Sequence, residues 1–206
     1  RGLPRVAGHK AGVDSVREAV RTASRIGVQA LTLYAFSTEN WLRPAGEVKE
    51  LMSLLSWALL RETAELDRQG VRLMASGRLG ELPAAVRRDL DEAVKRLKGN
   101  KGLVLNLALN YGARQEILDA VNAALRDGVK VLDEETLSKR LYTAGLPDPD
   151  LVIRTSGEMR LSNFLLWQIA YAELYVTPVF WPDFREAEFL KAVAEFQKRE
   201  RRFGGL

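Results

Sequence analysis

Cysteine is absent from the 206 residues, and histidine occurs once, at His9. The first absence excludes disulfides and thiolate metal sites, and the second argues against a zinc centre built on imidazoles. Any metal would have to be a hard cation held by carboxylates and substrate oxygens. Long hydrophobic runs are missing too. The most apolar stretch, Phe164 to Tyr175, is interrupted by Gln168 and Glu173 and is too short to span a bilayer. Neither a Gly-x-Gly-x-x-Gly nor a Gly-x4-Gly-Lys-Ser/Thr loop occurs, which removes the common nucleotide-binding fingerprints. No Gly-x-Ser-x-Gly elbow is present either, and His9 has no evident nucleophile beside it. No linker, internal repeat, low-complexity segment or secretory signal interrupts the chain, which begins at Arg1 rather than methionine. That beginning predicts further residues upstream.

What is present suits one α/β domain. Hydrophobic residues make up 47% of the chain, ample for a single core. A formal net charge of +4 suits phosphates, nucleic acid or acidic lipid, though ordinary surface variation also reaches that value.

Helical and extended patterns alternate. Val13, Val16, Val20 and Ala23 recur at helical spacing between Lys10 and Ile26, with Gly27 as the stop. Val28 to Phe36 reads as a buried strand, and Glu47 to Gln69 as a long amphipathic helix. A strand over Val71 to Ala75 and a helix over Pro83 to Leu97 follow. Arg87, Arg88, Asp89, Asp91 and Glu92 mark that helix's solvated face. Leu103 to Leu109 is extended, Arg114 to Arg126 and Glu134 to Leu141 are helical, and Leu151 to Arg154 is extended. Asn163 to Ala172 reads as a helix, Leu174 to Thr177 as a strand and Glu186 to Arg201 as a final helix. Such alternation predicts a mostly parallel central sheet flanked by helices on both faces.

Ligands of parallel sheets bind beyond the carboxyl ends of the strands. Three such segments are polar here: 37–44, 110–112 and 155–163. In the third, Arg154 closes an apolar strand, where a charge is costly unless paired. Thr155, Ser156 and Gly157 offer hydroxyls and backbone N–H groups to an anion, and Arg160 and Ser162 follow. Two guanidinium forks on a glycine-containing turn suit a diphosphate; the plainer reading pairs Arg154 with Glu158 and leaves Arg160 at the surface. A second basic cluster, Arg5, His9 and Lys10, precedes the first predicted helix, either as an anion site or as a solvated end. Asn40 and Trp41 also carry two readings: a turn cap and a packed ring, or an orienting amide and an aromatic wall for a cation.

These residues fall into motifs that resemble the cis-prenyltransferase family over essentially the whole chain. They are Arg5-x3-His9-Lys10-x-Gly12, Leu31 through Trp41 with Arg43-Pro44, and Asn106-x3-Asn110-Tyr111-Gly112. Asp150 through Glu158, Arg160 through Gln168, Tyr171 through Tyr175, Trp181 through Phe184 and Arg199 through Gly205 complete the set. The resemblance implies one domain over 1–206 with a hydrophobic product tunnel. It also implies magnesium-dependent condensation of isopentenyl diphosphate with an allylic diphosphate, usually farnesyl diphosphate. The product would be a long polyprenyl diphosphate such as undecaprenyl diphosphate, precursor of the cell-wall lipid carrier. By the same resemblance, Arg5 and His9 hold the allylic diphosphate with Arg43 nearby, and Ser37, Thr38, Glu39 and Trp41 line the substrate site. Arg154, Arg160, Leu161 and Ser162 hold isopentenyl diphosphate, Asn40 directs proton removal, and Glu173 serves the metal. Arg202-Phe203-Gly204 reaches a neighbouring subunit's substrate. A cytoplasmic homodimer with peripheral membrane contact is implied.

Two departures stand out. The family's N-terminal strand and Asp-Gly-Asn-Gly-Arg-Trp-Ala loop, with the principal metal-binding aspartate, are not in the sequence and are expected upstream of Arg1. Met159 occupies a position where some relatives carry histidine, and methionine is a poor ligand for magnesium. The missing loop motivates a second reading, a non-catalytic partner subunit, against which the retained phosphate clusters argue. Nucleic-acid binding has only the charge in its favour, because the basic residues form no stripe.

Overall fold

A computed structural model describes residues 5–199, with side chains from residue 11 onward. Its elements run α1 (Arg5–Arg25), β1 (Ala30–Ser37), α2 (Ala45–Arg68), β2 (Arg72–Ser76), α3 (Ala84–Leu97) and β3 (Val104–Tyr111). There follow α4 (Ala113–Arg126), α5 (Glu134–Ser138), β4 (Leu151–Arg154), β5 (Glu173–Val176) and α6 (Glu186–Gln197). Short 3-10 turns at Thr38–Leu42, Leu79–Glu81 and Trp181–Asp183 punctuate them.

The strands form two parallel groups, β1-β3-β2 and β4-β5. Parallel pairing puts the carboxyl ends of β1 and β3 side by side, with Ser37 opposite Tyr111. β3 is central and buried along nearly its whole length, which its apolar run dictates. Its first polar interruption, Asn106, is satisfied across the sheet: it accepts from Ser76 Oγ at 3.0 Å and donates to Thr32 Oγ1 at 3.3 Å. Such pairing removes the cost of burying an amide.

Helices α1, α2 and α3 supply Ala19, Val20, Met52, Leu59, Leu90 and Leu97 to a core shared with Leu105, Leu107 and Leu109 of β3. Each fully buried large side chain contributes about 1.5–3 kcal/mol of transfer free energy. A second cluster centres on Tyr111, with Tyr34 stacked on Phe164 at 4.6 Å and 16° between planes.

Five expectations are corrected. β1 is half-buried rather than buried, because it lies at the edge of its sheet. Asp89 faces α2 instead of solvent, is 6% exposed and accepts from Ser56 Oγ. The segment 163–172 is a run of turns, with Asn163 and Leu165 at φ 60° and 46°, values no right-handed helix admits. Finally, α1 already includes Arg5, so the first basic cluster lies within the helix rather than before it, and α6 stops at Gln197.

Candidate functional site

The polypeptide leaves β1 at Ser37 and tightens at once into the 3-10 turn Thr38–Leu42. Asn40 closes this turn: its Oδ1 accepts the Ser37 N–H at 3.0 Å, and its backbone oxygen accepts the Arg43 N–H at 3.1 Å. The turn aims Trp41 back at the sheet, where its Nε1 donates to Asn110 Oδ1 at 2.7 Å and its ring meets Phe36 edge-on at 5.0 Å. Asn110 ends β3's regular run with φ 47°, a conformation asparagine tolerates better than most residues. Its Nδ2 donates to Arg78 O at 3.0 Å and Glu81 Oε2 at 2.9 Å, so one buried amide ties β1, β2 and β3 together at their carboxyl ends.

The third polar segment reaches the same place from β4. Tyr34 Oη donates to Tyr111 O at 3.1 Å and lies 3.5 Å from Ser162 O. Burial, and then the negative charge of Glu39, push the Tyr34 hydroxyl up to about 12, while the Arg154 charge pulls the other way. Arg154 and Glu39 thus act on one hydroxyl from opposite segments. Asn163 Nδ2 donates to Glu39 Oε1 at 2.9 Å and to Gln115 Oε1 at 3.1 Å. Partial burial raises the Glu39 carboxyl, but the Asn163 amide and the turn's own N–H outweigh it and leave its pKa below the ordinary value. Gly112 makes the junction sterically feasible. A Cβ there would stand 2.4 Å from Gln115 Oε1, 2.6 Å from Asn163 Nδ2 and 2.8 Å from Thr38 Oγ1. The three segments expected to share an edge therefore meet.

Within the β4 loop the charges sort differently from the plainer reading. Glu158 pairs with Arg160, which is 66% exposed. The half-buried Arg154 guanidinium makes no hydrogen bond or ion pair among the described residues. An unpaired cation at a strand end is an anion site in waiting. One expectation fails here. The N–H groups of Ser156 and Gly157 donate to Val179 O at 2.9 Å and Thr177 O at 2.8 Å. They fasten the loop to the chain after β5 and are not free for a phosphate. Ser162, at φ 51°, and Leu161 are exposed beside Arg160.

Other expected residues lie at varying distance from this junction. Arg43 donates to Glu47 Oε1 at 2.6 Å and, with Trp41, lines one end of a cavity of about 770 Å³ between α2 and α3. Val48, Met52, Trp57 and Leu60 continue that cavity along α2. Its volume falls in the range of small-molecule sites. Thr38 and Ser37 sit at the turn between the cavity and Gly112. Glu173 opens β5 and accepts from Arg199 Nη1 at 2.6 Å. Among the described residues no group of three or more His, Cys, Asp or Glu side chains is arranged to hold a metal ion. Arg5 and His9 occupy the first turns of α1, and their side chains lie outside the described residues, as does the Arg202-Phe203-Gly204 segment.

Asn163, Gln115, Gly112, Tyr34 and Asn110 form the junction, yet composition and periodicity assign them no role. The signal for Asn163 and Gly112 was available only in part: an asparagine beside a serine suggests a left-handed turn, and a glycine beyond a strand suggests close approach.

A prenyltransferase family model described as undecaprenyl diphosphate synthase matches residues 1–204. The isoprenyl transferase of Heliobacterium mobile is 51% identical over 212 residues, covering 100% of this chain and 82% of that protein. Its counterpart in Fusobacterium nucleatum is 50% identical over 206 residues, covering 100% and 89%. Among solved structures, lavandulyl diphosphate synthase from Lavandula x intermedia, in complex with dimethylallyl diphosphate, superimposes with a TM-score of 0.94 at 36% identity, covering 99% of this chain and 91% of that one. A probable undecaprenyl diphosphate synthase from Campylobacter jejuni gives 0.86 at 36% identity, covering 95% and 92%.

Proposed function

The chain belongs to the undecaprenyl diphosphate synthase family of prenyltransferases, and from that premise we propose that it extends farnesyl diphosphate by repeated cis condensation with isopentenyl diphosphate. In each cycle the allylic C–O bond breaks and diphosphate leaves. The terminal alkene carbon of isopentenyl diphosphate bonds to the allylic carbon, the positive charge passes to the branched carbon, and loss of a proton from the neighbouring C2 forms the new double bond between those two carbons. The single observation that carries this reading is the Arg154 guanidinium, unpaired among the described residues, at the meeting point of three polar segments.

Arg154, Arg160 and Ser162 hold the isopentenyl diphosphate in this reading, and Arg5 and His9 hold the allylic one. Holding two diphosphates together is an entropic and electrostatic task, which accounts for two basic clusters. Asn40 has its Oδ1 engaged by Ser37. Its Nδ2, unpartnered among the described residues, is left to orient the group that accepts the proton. Trp41, 38% exposed at the cavity's end, screens the cationic carbon from water. The cavity between α2 and α3 receives the growing apolar chain.

Magnesium belongs to the proposal as the counter-charge to the departing diphosphate. The described carboxylates do not by themselves make its site, because Glu173 is ion-paired and no ligand cluster exists among the described residues. The tasks assigned to this chain's residues are therefore binding, orientation and proton placement. A second copy of the chain is the proposed partner, supported by the exposure of Tyr171 (75%) and Leu174 (38%) around β5. No helix among the described residues is long and apolar enough to cross a membrane, so membrane contact enters the proposal as peripheral.

The test is incubation of the full-length protein with farnesyl diphosphate, radiolabelled isopentenyl diphosphate and magnesium. Chromatography of the products is expected to give a ladder of longer polyprenyl diphosphates. Absence of extension would refute the proposal.

A further inference from the structure

Asn163 has no part in the roles assigned above, yet the three polar segments are joined through it. Its Oδ1 accepts the Arg114 N–H at 2.9 Å, and its backbone oxygen accepts the Ala113 N–H at 2.8 Å. Its Nδ2 donates to Glu39 at 2.9 Å and to Gln115 at 3.1 Å. These partners fix which way the amide points. A backbone N–H on one side requires the oxygen, and a carboxylate on the other requires the nitrogen. No other side chain of this length supplies both. The backbone is adapted as well: Ser162 and Asn163 both sit in the left-handed region, at φ 51° and 60°. Two such residues in succession are held by their bonds, since the conformation is otherwise unfavourable. The absence of a side chain at Gly112, where a Cβ would lie 2.6 Å from Asn163 Nδ2, leaves the room.

We propose that Asn163 is a positioning residue, whose amide locks Glu39 and the Arg160–Ser162 loop into one register and so sets the spacing between the two diphosphate half-sites. The assignment rests on the function proposed above. It makes Asn163 act through its neighbours rather than on substrate, and it predicts a charge signature. Tyr34 on β1 and Arg154 on β4 are the titratable and charged groups acting there with Glu39; Ser37, Thr38, Gln115 and Asn163 are neutral. In the native protein the Glu39 pKa is lowered, so its contribution is present above the ordinary carboxylate range and fades as pH falls through its folded value. Asn163→Asp inverts this. Two carboxylates in contact must share a proton, so one pKa rises and the cost grows as pH increases toward neutrality. Aspartate tolerates the left-handed backbone, so the variant keeps the turn.

The experiment compares wild type, Asn163→Asp, Glu39→Gln and the double variant in the full-length protein. Melting temperature and steady-state kinetics are measured from pH 5.5 to 8. Asn163→Asp is expected to lose about 10- to 100-fold in kcat at pH 8, the worth of a charge-assisted contact. The KM for isopentenyl diphosphate should change little, and the loss should shrink at pH 5.5. In the double variant the amide and carboxylate have exchanged places, and the new amide on the 3-10 turn donates to the new carboxylate of the loop. It should therefore be at least as active and as stable as Glu39→Gln alone. Additive losses in both melting temperature and kcat would overturn the proposal. Coupled melting temperatures with additive kcat losses would make the contact merely structural, which also overturns it. A wild-type protein that elongates nothing would refute the proposed function and with it the positioning role, while the melting temperatures would still report whether the contact exists.

Discussion

Replacing Arg154 with alanine probes the site where its structure is most unusual. The guanidinium is half-buried at the end of β4 and has no ion-pair partner among the described residues. Removing it therefore takes nothing from the folded protein's own bonding, and stability should stay within about 0.5 kcal/mol of wild type. Binding is another matter. A hydrogen bond to a charged group is worth about 1.5–3 kcal/mol, so affinity for isopentenyl diphosphate should fall about 10- to 150-fold. Arg160→Ala gives the internal comparison. Arg160 is 66% exposed and already pairs with Glu158, and an exposed pair is worth about 0–1 kcal/mol. Engaging a diphosphate disturbs that pair, so the loss should be smaller than for Arg154 by up to about fivefold. Arg154→Lys should fall between, because the charge remains but the fork is lost. Isothermal titration calorimetry with isopentenyl diphosphate, alongside thermal melts, makes the measurement. An Arg154→Ala protein of native stability whose Kd stays within about twofold of wild type would refute the reasoning.

Other consequences are as definite. Asn110→Ala leaves Trp41 Nε1, Glu81 and the Arg78 carbonyl without their shared partner, and chemical denaturation should register a loss of about 1–3 kcal/mol. Ser53 is exposed and lines the cavity between α2 and α3, so Ser53→Phe should narrow the cavity without disturbing the core; product chromatography should show shorter chains. Tyr34 titrates at about 12 instead of its ordinary 10.0. A raised pKa contributes stability that is complete below the unfolded value and lost as pH rises through the folded one. Alkaline melts should accordingly begin to fall above pH 10.0 and continue to about 12, and Tyr34→Phe should flatten that decline.

Strand and helix types were legible because their signals are local and periodic. β3's apolar run, the stripe along α2 and the Gly27 and Gly70 stops, at φ 78° and 67°, all read directly. The segment 163–172 did not, because its apolar residues at helical spacing carry no trace of the left-handed backbone that Ala113 and Arg114 hold in place from the start of α4. Asp89 misled for a related reason: its burial depends on Ser56 of α2, a partner far away in sequence. At the site, Arg154 and the 37–43 turn were recognisable from their position after apolar strands. Gln115 was not, and Asn163 was legible only as the end of a polar segment, since their importance lies in being wedged between segments. The loop amides of Ser156 and Gly157 looked available as sequence, but the chain beyond β5 claims them.

The central claim, cis condensation at this junction, is tested most directly by the geometry of the bond it makes. The full-length protein would convert carbon-13-labelled isopentenyl diphosphate and farnesyl diphosphate to product, and NMR would assign each new double bond. The account predicts that every added unit is Z while the starter's own bonds remain E. New units with E geometry, or no carbon–carbon bond formed at all, would contradict it.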